Sequence, residues 1–379
     1  MKVLLFANTD WYLYNFRLQL ADTLRRSGIE VILLSPAGDY VKKLQAQGFR
    51  WMPFPLSRRG MNPFMEGMTL IRLVRLYRLE RPDLLHHFTI KCVLYGSLAG
   101  HAAGIPSIVN SVTGLGYLYI GGGLIKKFLR HMIKIMYRLI LKGTQVIFQN
   151  EDDREELLDH KMVRKEKTHL VRGSGVDVNL FKVTPEPKGV PVALLAARML
   201  WDKGVGEFVA AADMLRSSAV AARFILVGDT YQDNPAAIPN SQLESWVRQG
   251  IVEWWGWLED MPAVYARANI VCLPSYREGM PRSLMEASAC GRAVVAADVP
   301  GCRHAVRHAE NGLLVPVRDA RALAEALKEL IEKPALRRRM GVKGRKLAEE
   351  EFSVERIVSE TIAIYRYAGL HVYRGGLKE

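Results

Sequence analysis

Short apolar runs alternate along the chain with longer segments in which apolar residues recur at helical spacing. Residues 3–6, 31–35 and 84–87 predict buried strands, whereas 18–27 and 65–80 predict amphipathic helices. After residue 191 the alternation resumes, with further strands predicted at 192–196, 224–227, 270–274 and 293–296. Alternation of this kind is typical of parallel sheets covered by helices, so we predict an α/β fold.

The 379-residue length and one break in the pattern predict two domains. Residues 184–191 (TPEPKGVP) are rich in proline and poor in apolar side chains, as is typical of a linker. We therefore predict Rossmann-like, doubly wound domains over 1–183 and 184–359, with a helix at about 360–379 packing back on the first. Ligands of such sheets bind at the carboxyl ends of strands, so a cleft faced by both domains is the expected site.

Positive charge is concentrated in the first half of the chain. Of a formal net charge of +14, residues 1–182 carry +12, and residues 84–150 contain seven Lys and Arg but no Asp or Glu. This imbalance predicts an anionic partner: a membrane surface, a phosphorylated substrate or a nucleic acid. The four cysteines form no CxxC pair and no apolar run reaches the ~18 residues that span a bilayer, so we expect a cytoplasmic protein.

Two carboxylates, Glu278 and Glu286, flank a turn between a predicted strand and a predicted helix. Amides at a helix N-terminus can bind a diphosphate, Glu286 one turn inside can accept hydrogen bonds from a ribose diol, and Glu278 can face a sugar. The residues between them are candidates for the same ligand: Gly279, Met280, Pro281, Ser283 and Leu284. The alternative is that both carboxylates are solvated surface charges.

Two cations follow the first predicted strand of the second domain. Arg198 and Lys203 lie five residues apart beyond the strand end and can converge on one diphosphate, Arg198 as a planar fork and Lys203 as a point charge. Ordinary solvated side chains are the alternative. We find no Asp-x-Asp sequence, so no metal ion is implied.

Together, the Glu pair and the upstream Arg and Lys-Gly resemble glycosyltransferase family four, the retaining enzymes of the GT-B fold. The similarity covers nearly the whole chain and includes the LPSYREG sequence at 273–279. It implies that Arg198 and Lys203 hold the diphosphate of a nucleotide-sugar donor, Glu286 its ribose and Glu278 the transferred sugar. One departure is His304, which stands where the family has a Glu after a Gly-Gly pair.

A narrower resemblance lies in the first domain, at Ser57-Arg58, at 62–64 (NPF) and at 113–116 (TGLG). These sequences are similar to a subgroup that includes a bacterial enzyme transferring N-acetylgalactosamine to a sugar on diphospho-undecaprenol. Polar residues and glycines after predicted strands are the candidate acceptor contacts: Asn8, Asp10, His87, Lys91, Thr113, Gly114 and Gly116. Tight turns without a ligand, and structural roles for His86 and His87, are the alternatives.

Residues 126–142 (KKFLRHMIKIMYRLILK) predict a basic amphipathic helix. Its composition suits docking on an anionic membrane through Lys127, Arg130, Lys134 and Arg138, and the alternative is a core helix with a solvated basic face.

We therefore expect a metal-independent glycosyltransferase on the inner face of the plasma membrane. It would move an N-acetylhexosamine from a UDP-sugar, its co-substrate, to a polyprenyl-diphosphate-linked sugar, without a cofactor. A related enzyme with another UDP- or GDP-linked hexose donor, in lipopolysaccharide or capsule synthesis, is the main alternative. A nucleotide-sugar 2-epimerase lacks the Glu pair, and a nucleic-acid binder would use motifs that the chain does not contain.

Overall fold

The computed structural model describes residues 1–56, 62–114, 135–231 and 234–370. The chain forms two compact units. Unit 1 comprises Met1–Ser174 and Glu355–Glu379, and unit 2 comprises Gly175–Val354.

The described part of unit 1 contains a parallel sheet of seven strands in the order β3-β2-β1-β4-β5-β6-β7. Its strands are β1 (Lys2–Phe6), β2 (Glu30–Ser35), β3 (Arg50–Pro53), β4 (Leu84–Phe88), β5 (Ser107–Val112), β6 (Gln145–Phe148) and β7 (Thr168–Leu170). Its helices are α1 (Asp10–Arg26), α2 (Val41–Ala46), α3 (Pro63–Glu80), α4 (Ile90–Ala103), α5 (135–140) and α6 (Glu151–Asp159).

Local signals in the sequence account for the helix ends in unit 1. Thr9 accepts a hydrogen bond from the amide of Tyr12 at 3.1 Å and begins α1, and Asn150 accepts one from Asp153 at 2.8 Å and begins α6. Gly104 ends α4 with a φ of 74°, a conformation that glycine adopts without strain. The strands that pair at the centre of the sheet are buried along nearly their whole length, as helices on both faces of a sheet require.

The described part of unit 2 contains a parallel sheet of six strands in the order β10-β9-β8-β11-β12-β13. Its strands are β8 (Val192–Ala196), β9 (Arg223–Val227), β10 (Glu253–Trp254), β11 (Ile270–Leu273), β12 (Ala293–Ala297) and β13 (Gly312–Val315). Its helices are α7 (Val205–Ser217), α8 (Asn240–Arg248), α9 (Met261–Ala266), α10 (Arg282–Ala289), α11 (Cys302–Ala305), α12 (Ala320–Glu332) and α13 (Pro334–Leu347). A π-helical turn, Ala348–Phe352, precedes α14 (Val354–Tyr367). Two doubly wound Rossmann-like units are therefore present, as predicted.

The proline-rich segment 184–191 is tied into unit 2, whereas its composition predicted a linker. The buried guanidinium of Arg292 donates to the carbonyl of Thr184 at 2.8 Å, and Arg337 pairs with Glu186 at 2.7 Å. Unit 2 begins earlier, at Gly175, because Val176 bonds to the π-helical turn and Phe181 enters the hydrophobic core.

The C-terminal helix α14 packs on unit 1 through polar contacts as well as apolar ones. The Tyr365 hydroxyl lies 2.5 Å from Nδ1 of His86, and the Ser107 hydroxyl donates to the carbonyl of Ala368 at 2.5 Å. The final residues of the predicted helix, 371–379, lie outside the described residues.

We predict that Arg337→Met destabilises unit 2 by about 3–5 kcal/mol, because it leaves the largely buried Glu186 carboxylate without its cation. Urea unfolding followed by tryptophan fluorescence would measure this, since Trp201, Trp246, Trp254, Trp255 and Trp257 all belong to unit 2.

The matched control for this change is Arg338→Met at the exposed neighbouring position, which should cost less than about 0.5 kcal/mol. Equal midpoints for the two variants would show that the contact between Arg337 and Glu186 does not hold the segment.

Candidate functional site

The candidate residues of unit 2 lie at the point where the strand order reverses. Strand β8 lies between β9 and β11 and is parallel to both. The segments that follow β8 and β11 therefore begin side by side, at the carboxyl ends of these two strands. Residues 197–204 follow β8, and residues 274–281 follow β11. This position, at the carboxyl ends of adjacent parallel strands, is where open α/β sheets bind ligands.

The two loops touch so closely that a glycine is required between them. Gly204 has a φ of 72°, and a Cβ placed on it would lie 2.1 Å from the carbonyl oxygen of Pro274. The carbonyl of Asp202 accepts hydrogen bonds from the amide of Tyr276 at 2.9 Å and from the hydroxyl of Ser275 at 3.1 Å. The backbone of one loop is therefore fixed against the other, which fixes the side chains that both loops carry.

Lys203 and Glu278 meet across these loops. Lys203 Nζ lies 2.5 Å from Glu278 Oε1, and both side chains are largely buried, with exposed fractions of 18% and 13%. Two of the three predicted catalytic side chains are thus in direct contact. A charged pair of this kind can exchange partners, because a bound diphosphate offers the ammonium group a stronger anion.

The loop that carries Glu278 is also fixed by the chain after β12. The amide of Glu278 donates to the carbonyl of Pro300 at 3.2 Å, and a Cβ on Gly301 would lie 2.5 Å from the carbonyl oxygen of Glu278. His304, which replaces the family Glu, lies half-buried on α11. The close approach of Gly301 explains why glycine occupies this position.

Glu286 is buried on the first turns of α10, so the reading of Glu286 as a solvated surface charge is wrong. Its carboxylate accepts hydrogen bonds from the Tyr265 hydroxyl at 3.0 Å and from Nε of Arg282 at 2.7 Å. Burial raises the pKa of Glu286, and Arg282 and Tyr265 oppose that shift because they favour the charged form.

Between Glu278 and Glu286, the candidate residues differ in whether a ligand could reach their side chains. The side chains of Met280 and Leu284 belong to the hydrophobic core of unit 2, so the predicted contacts of these residues with a ligand would have to come from their backbone. Gly279 and Ser283 are half-buried, and Pro281 precedes α10 without offering a side-chain cap to the helix amides. What this segment offers a ligand is therefore mainly the N-terminus of α10.

Arg198 differs from Lys203 in being exposed. Its guanidinium lies 5.6 Å from the ring centroid of Tyr231, within the range of a cation–π contact. An arginine held in this way on the loop after β8 keeps its planar fork available for an anion.

A second group of residues supports the site, and the sequence did not single it out. The Tyr276 hydroxyl donates to Glu207 Oε1 at 2.6 Å, and the Arg318 guanidinium stacks 4.5 Å from the Tyr276 ring centroid. Burial and the Glu207 carboxylate raise the pKa of Tyr276 to about 12, so the hydroxyl stays a donor at neutral pH. The aromatic residue two positions before Glu278 is the feature of the sequence that could have pointed to this group.

In unit 1, Asp10 contributes to the fold of its own loop. Its Oδ1 accepts from the amide of Trp11 at 2.8 Å and its Oδ2 from the amide of Tyr40 at 2.8 Å. A Cβ on Gly38 would lie 2.5 Å from Oδ1, so the loop fits closely around the carboxylate. Asn8 is half-buried just before it. The prediction that Asp10 contacts the acceptor is not supported by this geometry, because both oxygens already have backbone partners.

His87 is fully buried, and both ring nitrogens have protein partners. Nδ1 lies 2.9 Å from Asn110 Oδ1, and Nε2 lies 3.2 Å from the Tyr77 hydroxyl. Burial lowers the pKa of His87 to about 4, so the ring is neutral at physiological pH. The structural alternative therefore holds for His87, and the prediction that it contacts a ligand is wrong. His86 is buried in the same way, between Tyr365 and Ser111.

The remaining acceptor candidates divide into three groups. Lys91 pairs with Glu66 on α3 at 2.7 Å. Thr113 and Gly114 are half-buried just after β5, and Gly114 has a φ of 119°. Gly116 lies outside the described residues.

Most of the predicted membrane helix also lies outside the described residues, including Lys127, Arg130 and Lys134. In its described part, α5, Tyr137 and Ile140 are buried in the core of unit 1, whereas Leu139 is exposed. Arg138 is exposed and donates to the carbonyl of His160 at 2.9 Å.

Within the described ranges, no helix is both long enough and apolar enough to cross a bilayer. The same part of the chain contains no group of three or more His, Cys, Asp or Glu side chains arranged to hold a metal ion.

Comparison with known proteins agrees with this geometry. The model of the family described as glycosyl transferases group 1 matches residues 190–333, and that of the glycosyl transferase 4-like family matches residues 2–150. The chain therefore belongs to the glycosyltransferases of family four, which have the GT-B fold of two Rossmann-like units. This membership does not support the 2-epimerase and nucleic-acid-binding alternatives.

Three relatives are informative. Over 89% of this chain and 91% of the relative, the sequence is 30% identical to the N,N'-diacetylbacillosaminyl-diphospho-undecaprenol alpha-1,3-N-acetylgalactosaminyltransferase of Campylobacter jejuni. Over 72% of each chain it is 23% identical to the UDP-Gal:alpha-D-GlcNAc-diphosphoundecaprenol alpha-1,3-galactosyltransferase of Escherichia coli. Anabaena HepE in complex with UDP has the same fold, with a TM-score of 0.77, 19% identity and coverage of 97% of this chain and 100% of that one.

We predict that Lys203→Ala lowers turnover tens- to several hundred-fold, since losing one charge-assisted contact to a departing phosphate adds roughly 2–4 kcal/mol to the barrier. Initial rates at saturating donor would measure the loss. Lys343→Ala, at an exposed position on α13, is the matched control. Unchanged turnover in a folded Lys203→Ala protein would refute its role.

We predict that Tyr276→Phe raises the KM for the donor severalfold and lowers stability by about 1–3 kcal/mol, because Glu207 loses its partly buried hydrogen bond. Tyr276→Leu, which also removes the ring beneath Arg318, should raise KM further. Donor titrations and thermal unfolding would measure both effects. A Tyr276→Phe protein that loses stability while KM stays at the wild-type value would limit this residue to a purely structural role.

Proposed function

We propose that this enzyme transfers N-acetylgalactosamine or a related N-acetylhexosamine from a UDP-sugar to a sugar linked to undecaprenyl diphosphate. The observation that carries the proposal is the 30% identity, over 89% of the chain, to a Campylobacter enzyme whose name specifies that sugar and a diphospho-undecaprenol acceptor. The E. coli relative's name specifies the same kind of lipid with a UDP-linked donor. The product would belong to glycoprotein glycan or polysaccharide assembly.

In this proposal the donor diphosphate binds at the loops after β8 and β11. Its charge would draw Lys203 away from Glu278, and Arg198 and the N-terminus of α10 would complete the cationic surroundings. Glu278, released from Lys203, would accept hydrogen bonds from the sugar, and Glu286 would accept them from the ribose.

The reaction breaks the bond between the anomeric carbon and the β-phosphate oxygen and forms a bond from that carbon to an acceptor hydroxyl oxygen, whose proton passes to the departing phosphate. The negative charge that develops on the departing UDP is stabilised by Lys203 and Arg198, so the contribution of these residues is electrostatic. We propose that the anomeric configuration is retained and that no metal ion is needed, because these cations and the helix end balance the diphosphate charge. We assign no residue as a covalent nucleophile.

The acceptor carries a lipid tail that stays in the bilayer, so the enzyme must work at the membrane surface. The excess of Lys and Arg over residues 84–150 supports peripheral binding to an anionic cytoplasmic leaflet. The turn after β5 at Thr113 and Gly114 remains the acceptor candidate, since its backbone lies at the carboxyl edge of the unit 1 sheet.

The proposal predicts which ligands stabilise the enzyme and which product it makes. A panel of UDP- and GDP-sugars tested by thermal unfolding should give the largest shift with UDP-N-acetylgalactosamine, because a ligand stabilises the state it binds by RT ln(1 + [L]/Kd). Transfer to a synthetic polyprenyl-diphosphate sugar should then proceed in EDTA and give the α-anomer by NMR.

Three results would contradict separate parts of this proposal. A β-linked product would overturn retention, and loss of turnover in EDTA would overturn metal independence. A larger shift with UDP-galactose or a GDP-sugar would favour the alternative of another hexose donor, for which the name of the E. coli relative is the specific support.

A further inference from the structure

Helix α3 presents a wide apolar and basic face to solvent. Four large apolar side chains on it have exposed fractions far above those of core residues: Phe64 76%, Met65 63%, Ile71 47% and Leu79 80%. The opposite face of the helix packs into unit 1 through Leu73 and Tyr77, which are fully buried. Exposed apolar surface of this extent on one helix indicates an interaction site.

The charges of α3 are sorted between its two faces. Arg72, Arg75 and Arg78 are exposed, and at 100° per residue they share a face with the four apolar side chains. Both acidic residues of the helix point the other way and are neutralised. Glu66 pairs with Lys91, and Glu80 pairs with Arg50 and Lys2. The exposed face, defined here as the α3 face, therefore carries apolar groups and arginines without any carboxylate.

We propose that the α3 face lies in the headgroup region of an anionic lipid bilayer. Apolar side chains flanked by arginines are the composition of helices that lie flat in the membrane interface. The guanidinium groups can bind lipid phosphates as bidentate donors, and their long stems let the charge reach the headgroups while the helix sits deeper. A face without carboxylates avoids repulsion from the anionic surface.

Neighbouring helices of unit 1 are joined to α3. Arg78 on α3 donates to the carbonyl of Ala102, and His101 lies 3.1 Å from the carbonyl of Ile140 on α5, so both helices are joined to the carboxyl end of α4. Leu139 on α5 is also exposed, with a fraction of 68%. The inference rests on the proposed function in that a lipid-linked acceptor gives the enzyme a reason to bind the bilayer.

Liposome binding by the full chain, without substrates, tests the α3 face separately from transferase activity. We expect the partition coefficient on vesicles with 30% phosphatidylglycerol to fall more than about 10-fold in the Met65→Ser, Ile71→Ser, Leu79→Ser variant. Arg72→Glu with Arg75→Glu should reduce it at least about 10-fold in low salt, and less as ionic strength rises.

Matched controls come from unit 2. Leu180→Ser with Val342→Ser changes apolar residues that are 57% and 71% exposed, and Arg338→Glu with Arg339→Glu changes exposed arginines on α13. These controls should bind vesicles like the wild type. Equal losses in the controls and the α3 variants would overturn the proposal, as would unchanged binding in the α3 variants. A change of oligomeric state in the α3 variants, with lipid binding intact, would instead assign the face to a second copy of the chain.

A fluorescence measurement reports directly on depth. The four native cysteines are buried, so an environment-sensitive dye should label L79C or M65C selectively. These positions lie about 21 Å apart along the helix axis at 1.5 Å per residue. We expect both labels to shift to the blue on anionic vesicles, and a label at V342C to stay unchanged. A blue shift absent at both α3 positions would overturn the proposal even if the enzyme transfers sugar as proposed.

Discussion

The candidate site depends on the close approach of two backbone segments at the switch point of the unit 2 sheet. Gly204 lies against the carbonyl of Pro274 in a space that no side chain could share, and its positive φ turns the chain back towards α7. Because of this approach, Asp202 can bond to the loop after β11, and Lys203 can reach Glu278. The contact between Lys203 and Glu278 therefore depends on the close packing of the two loop backbones as well as on the opposite charges.

The two charges at this position, those of Lys203 and Glu278, compensate each other. Lys203 and Glu278 neutralise each other at a largely buried position, so neither charge is left uncompensated. A nucleotide diphosphate would offer Lys203 a second anion, and the carboxylate freed by the exchange would then be directed at the sugar. Tyr276, Glu207 and Arg318 hold the loop that carries Glu278 through a hydrogen bond and a cation–π contact.

Features of the fold and the site that depend on hydrophobic periodicity or on local motifs could be predicted from the sequence. Both parallel sheets follow from apolar runs such as 192–196 and 270–274, and the proximity of Lys203 and Glu278 follows from their places after adjacent strands. Contacts between distant residues could not be predicted in this way. The segment 184–191 has a linker's composition, but Arg292 and Arg337, more than a hundred residues later, fix it to unit 2. His87 lies near the end of β4, where a ligand-binding residue could be expected, yet its ring is fully buried and bonds to Asn110 and Tyr77.

In the proposed mechanism, Lys203 exchanges Glu278 for the donor diphosphate. Calorimetric titration of UDP into three proteins tests it most directly, because UDP carries the diphosphate but not the sugar that Glu278 would bind. Glu278→Ala should bind UDP at least as tightly as the wild type, since Lys203 no longer has to leave a partner. Lys203→Ala should bind it about 10- to 100-fold more weakly, the cost of one charge-assisted hydrogen bond. If Glu278→Ala weakened UDP binding as much as Lys203→Ala does, the exchange would be contradicted.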